Sequence, residues 1–143
     1  MIPQAVTTYC AQQQVDLSPI RCEVLAFLWQ CERPVKAYDI IPYLKEQGIG
    51  SPVPMTVYRA LDYLAAHHLV HKLHTLNAYI PCHFHEGAHQ PATFLLCQDC
   101  GVVQEMCDDN AEKFVQSTAA KHHFAVKQQA LELVGRCARC SEG

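Results

Sequence analysis

Residues 55–82 read MTVYRALDYLAAHHLVHKLHTLNAYIPC, and the hydrophobic period changes inside this stretch. From Met55 to His68, Val57, Leu61, Leu64 and Ala65 recur at helical spacing, while Thr56, Arg59 and Asp62 fall on the other side. From Leu69 to Cys82 the period becomes two, and Thr75-Leu76-Asn77 supplies a turn, so the spacing predicts a β-hairpin. Helices that run into a hairpin follow the plan of a winged helix-turn-helix, whose recognition helix precedes the hairpin. The pattern alone fits any small α+β domain equally well.

Upstream, residues 4–14 read as a modest helix with Ala5, Val6, Tyr9 and Cys10 as its apolar positions. Ser18 suits a cap and Pro19 the first helical position, where its missing N–H costs nothing. Ile20, Val24, Phe27, Leu28 and Cys31 then give a helix over 19–31 with one buried face, ended by Arg33-Pro34. Ala37 to Gln47 is a third helical pattern, with Ile40, Ile41 and Leu44 inward and Gly48 as a stop. Pro42 fits there only if the helix begins near Tyr38. Ser51-Pro-Val-Pro54 is a stiff loop.

Downstream, Pro81 to Pro91 is a polar, His-rich linker, which divides the chain into 1–80, 81–91 and 92–143. Thr93–Leu96 and Gly101–Glu105 read as strands. Asp108 to His122 reads as a helix, capped by an Asp, with Phe114, Val115 and Thr118 inward. Phe124 to Val134 reads as a strand ending at Gly135. The expected class is α+β: a winged helix followed by a small, metal-stapled α/β domain.

The totals exclude several classes. The chain has 143 residues, half of them hydrophobic and 17% charged, so it is a folded protein and not a disordered one. No apolar run approaches a membrane span. The N-terminal MIPQAVTTYC does not read as a secretory signal, so the expected compartment is the cytoplasm. A net charge of −3 argues against a polycation that coats nucleic acid. Nine Cys cannot all pair within one chain, and in a reducing compartment Cys and His clusters more often bind metal.

Cys97-x-x-Cys100 and Cys137-x-x-Cys140 are two paired hooks with 36 residues between them. Zinc takes four soft ligands in a tetrahedron, and a two-residue spacer lets both thiolates of a hook reach one ion. A redox dithiol is the weaker reading, because no thioredoxin-like helix follows either hook. The domain is small enough for such a zinc to supply folding energy.

A second group is His71, Cys82, His83, His85, His89 and Glu105, a mixed N, S and O set that suits zinc. Ligands drawn from both domains would clamp the hinge and make the metal regulatory. His85-Glu86-x-x-His89 also matches the H-E-x-x-H pattern of zinc peptidases. That chemistry needs a stable helix, and Pro81, Gly87 and Pro91 oppose one. Cys10, Cys22 and Cys31 read as small buried hydrophobes, Cys107 stays open beside Glu105, and His67-His68 and His122-His123 suit helix C-termini.

Leu17-Ser-Pro-x-Arg21, Thr56-Val-Tyr-Arg-Ala-Leu61 with Leu64, Cys97-x-x-Cys-Gly101 and Gly135-x-Cys-x-x-Cys140 fall in one order over almost the whole chain. In this the sequence resembles the ferric uptake regulator superfamily of bacterial metal-sensing repressors, and within it the zinc uptake regulator branch. The iron branch usually carries His-x-His before the first hook, where this chain has Ala92-Thr-Phe94, and a His on the last strand, where it has Gln129. The resemblance implies a zinc-responsive homodimeric repressor with two Zn2+ per chain, dimerising through the C-terminal domain. It implies a structural zinc on Cys97, Cys100, Cys137 and Cys140. It implies a sensing zinc on His71, Cys82, Glu105 and a linker His, either His89 or, given the spacing, His85 or His83. It further implies a pseudo-palindromic, AT-rich operator contacted by Tyr58 and Arg59, with Ser51 and Thr56 on phosphate. Tyr58 could pack on thymine methyls and Arg59 pair with a guanine edge. The iron- or peroxide-sensing branches are the rival reading.

Overall fold

A computed structural model describes residues 2–50, 52–83, 92–107, 109–126 and 130–142, without the side chains of Ala92 and Cys107. The chain forms two units, 1–87 and 88–143. In the first, helices α1 (Gln4–Gln12), α2 (Pro19–Gln30), α3 (Ala37–Glu46) and α4 (Pro54–Ala66) precede strands β1 (Val70–Leu73) and β2 (Ala78–Pro81). In the second, β3 (Ala92–Cys97) and β4 (Val103–Cys107) lead to α5 (Asp109–Lys121), β5 (Leu131–Gly135) and α6 (Ala138–Glu142).

Each helix of the first unit contributes an apolar stripe to one cluster. Val6 and Tyr9 of α1, Val24, Leu25 and Leu28 of α2, Ile40 and Leu44 of α3, and Val57, Leu61 and Leu64 of α4 meet there, closed by Leu69, Val70 and Tyr79 of the hairpin. Pro19 and Pro54 occupy first helical positions, as their missing N–H permits. Ser18 stands at the N-cap of α2 but makes no side-chain cap hydrogen bond, contrary to expectation. On α3, the Asp39 carboxylate accepts the Lys36 N–H at 3.2 Å, which fixes the helix start. Pro42 lies inside α3, which begins at Ala37, one residue before the start its ring favours.

Four helices end in the same way. After α4, His68 N–H donates to Ala65 O and Leu69 N–H to Leu64 O, with His68 at φ 62°. After α1, α3 and α5, Gln14, Gly48 and His123 hold that left-handed position with the same two bonds. His68 and His123 are thus turn-forming residues. At His68 the chain reverses directly from α4 into the hairpin.

β1 and β2 pair antiparallel, with His71 opposite Ile80, and Asn77 takes the left-handed residue of the turn. Val35 and Tyr79 exchange two backbone hydrogen bonds of 2.9 and 2.7 Å, so the segment after α2 adds a short third edge to the hairpin.

The second unit is a three-stranded sheet of order β4-β3-β5, antiparallel between β3 and β4 and parallel between β3 and β5. The last strand spans only Leu131–Gly135, shorter than the expected 124–134, and residues 124–126 are not strand. Helix α5 buries none of its described side chains, and Phe114, expected inward, is 66% exposed. Phe94, Leu96 and Cys97 are the buried hydrophobic residues of the described part of this unit.

Leu61 is fully buried on α4 among side chains from all four helices. Leu61→Ala should cost about 2–5 kcal/mol, a large part of a domain's stability. Urea unfolding should show a lower midpoint for the first unit.

Candidate metal centres and nucleic-acid face

The four hook cysteines converge. Their sulfur atoms all lie within 4.8 Å of one another, and Cys100 Sγ and Cys137 Sγ are 3.8 Å apart. With zinc–sulfur bonds of about 2.3 Å, the edge of a tetrahedral site is about 3.8 Å. The donor set therefore fits zinc in number, softness and spacing.

The backbone prepares this site. Cys97 N–H donates to Val102 O, and Gly101 N–H donates back to Cys97 O from a left-handed φ of 77°, so the first hook is a tight turn that needs Gly101. Gln98 N–H donates to Gly135 O at 2.8 Å, which sets the second hook beside the first. The Cys100 and Cys137 N–H groups point at Cys97 Sγ, at 3.5 and 3.3 Å. These donors hold the Cys97 thiol down at about 6. The Cys137 sulfur, followed by that of Cys97, pushes Cys140 up to about 12. Four thiolates thus require a cation to share the site. Arg136 and Asp99, each next to a hook cysteine, form an ion pair of 2.6 Å that clasps the two hooks. Sequence reasoning missed this pair, although one opposite charge beside each hook was a legible signal.

In the first unit, the strand register sets His71 and Cys82 on one hairpin face. His71 opposes Ile80, and Cys82, two residues further, donates its N–H to Leu69 O at 2.9 Å. Cys82 is buried. Burial, then the neighbouring Cys82 and Cys10 sulfurs, push the Tyr9 hydroxyl up, and that hydroxyl donates to His67 O. The His83 ring packs edge-on against Trp29 of α2 at 4.9 Å. Glu105 lies on β4, opposite Phe94. His85, Glu86 and His89 lie outside the described residues, as does the Cys107 side chain.

On α4, Arg59 is exposed, whereas Tyr58 is half-buried against the helical core. Thr56 N–H and Val57 N–H both donate to Val53 O, and Pro54 has none to give. The Thr56 amide is therefore already engaged in the first turn of α4. Ser51 lies outside the described residues.

Residues 12–134 match the ferric uptake regulator family. The chain belongs to that family. The match takes in the winged helix and the first hook, while Cys137 and Cys140 lie beyond it. Among relatives of the family, the zinc uptake regulation protein of Escherichia coli is 40% identical over 134 residues, which cover 93% of this chain and 77% of that protein. A structure described as a zinc uptake regulator complexed with zinc and DNA superposes with a TM-score of 0.85 at 33% identity, over 99% of this chain and 97% of that one. The holo structure of XcZur gives 0.86 at 35% identity, over 98% and 96%.

Cys97→Ser removes the sulfur that receives both amide donors. It should lower the zinc content by one ion per chain and unfold or monomerise the protein, read by native mass spectrometry. Cys31→Ser, at the end of α2, should leave the zinc count unchanged.

Proposed function

We propose that this protein is a zinc-responsive transcriptional repressor whose homodimer binds operator DNA and represses zinc-uptake genes in the cytoplasm. The observation that carries this reading is the joint one. The chain superposes over nearly its full length on a zinc uptake regulator complexed with zinc and DNA, and its own four hook sulfurs have zinc-site spacing.

Two donor sets support a reading of two zinc ions per chain. Cys97, Cys100, Cys137 and Cys140 would hold the structural ion. His71, Cys82, Glu105 and a linker histidine would hold the sensing ion, and a thiolate in that set favours zinc over iron(II) or manganese. His83 packs against Trp29, and His89, His85 and His83 are the candidates for that linker histidine. Bound zinc supplies a four-ligand crosslink. The ligands belong to different units: His71 and Cys82 leave the hairpin that follows α4, and Glu105 belongs to β4. Their work is to tie the position of the winged helix to metal occupancy. The exposed Phe114, Phe124, Leu133 and Val134 of the second unit give that domain an apolar surface for the homodimer. Arg59, Tyr58, Thr56 and Ser51 are the proposed contacts to a pseudo-palindromic, AT-rich operator.

Family membership sets the chain among transcriptional regulators, and we propose no catalytic role for His85-Glu86-x-x-His89. Glu86→Gln should leave DNA binding unchanged.

Cys82→Ser should keep the structural zinc and the dimer yet lose zinc-dependent operator binding in a mobility-shift titration. In the unaltered protein, operator should tighten the sensing zinc by the same factor by which zinc tightens operator. Iron(II) acting as well as zinc would overturn the zinc assignment in favour of the iron-sensing branch.

A further inference from the structure

The described large hydrophobic residues of the first unit that remain well exposed are Tyr38 (65%), Val53 (53%), Met55 (59%) and Leu76 (41%). They fall at three places in the chain. Tyr38 lies in the first turn of α3, Val53 and Met55 at the start of α4, and Leu76 in the hairpin turn. Single exposed apolar residues need no explanation, but four confined to helix-turn-helix starts and the wing do. Elsewhere this unit buries its apolar residues well, as Val57, Leu61 and Leu64 of α4 itself show.

Val53 and Met55 are also held stiffly. Val53 lies between Pro52 and Pro54, and Pro54 is the first residue of α4. Their backbone loses little freedom on binding, so a contact there is pre-organised. Met55 and Arg59 are four residues apart on α4, hence neighbours on its surface, and both are exposed. A guanidinium and an unbranched thioether side by side suit a surface that offers acceptors and methyl groups together. The major groove is such a surface, since thymine alone adds a methyl to the acceptor pattern of the bases.

We propose that Met55, with Val53 beside it, reads thymine methyl groups in the major groove and so helps to set the sequence preference of this protein. This rests on the reading above that α4 is the recognition helix. Met55 makes the apolar contact, and Arg59, one turn on, supplies the polar one. The occupant is a thymine-bearing duplex.

The test uses the full-length, zinc-loaded protein and a duplex selected by it from a random pool. Each thymine of one half-site is replaced in turn by deoxyuridine, which removes the 5-methyl group alone. At one or two positions the unaltered protein should bind about three- to fivefold more weakly, the worth of one buried methyl group. Met55→Ala should bind the thymine and uracil duplexes equally at those positions. Val53→Thr should narrow the difference. Met55→Leu should keep it, which separates lost contact from lost folding. Arg59→Ala should weaken both duplexes alike. Thymine–uracil discrimination that survives in Met55→Ala overturns the proposal, as does its absence in the unaltered protein. A change in the stepwise loading of dimers without a change in discrimination would assign the patch to a second copy and also overturn it. Failure of the unaltered protein to select any duplex with zinc would sink the recognition-helix reading itself, and this inference with it.

Discussion

The described residues of the second unit form a small core. Phe94, Leu96 and Cys97 are its buried hydrophobic residues among those described, and every described side chain of α5 reaches solvent. A small core leaves more of the chain entropy of folding to be offset by other links. The four hook sulfurs supply a further link within the unit. They join the C-terminal end of β3 to the segment after β5, so one ion would tie the strand that centres the sheet to the element that completes it. The geometry around Cys97 shows how much of the local backbone serves this one purpose. Two amides, the left-handed Gly101 and the Asp99–Arg136 pair all fix sulfurs and not a hydrophobic core.

The first unit has the opposite economy. Its stability comes from leucines and valines drawn from four helices, and polar contacts only trim the edges. Arg21 is typical of that edge. Its guanidinium lies 3.6 Å over the Tyr63 ring and reaches Asp16, joining the start of α2 to α4 at the surface. A unit built in this way folds on its own side chains. Its internal structure therefore owes nothing to the hook cysteines of the second unit.

Much of this was legible in the sequence because two periods carried it. A spacing of 3.6 marked α2 and α4 through Val24, Leu28, Val57, Leu61 and Leu64, and alternation marked the hairpin. What stayed hidden had no period. The Val35–Tyr79 bridge is one residue pair long. The left-handed turns at Gln14, His68 and His123 use residues that do not announce such turns as glycine does. The stripe expected on α5 is not buried: Phe114 and Thr118 are exposed and Val115 is half-buried, because helical spacing marks a face without saying what covers it. The last strand came out short because an apolar run between turns sets no firm boundary. Of the metal residues, the hooks were readable from spacing alone. The linker histidine was not, because nothing in a polar, proline-bracketed segment fixes which imidazole faces inward.

The parallel pairing of β3 with β5 brings together residues about forty positions apart, Thr93 with Leu131 among them. Such long-range closure is slow. A chain made from its N-terminus therefore carries β3 with one edge unpaired until β5 has been added.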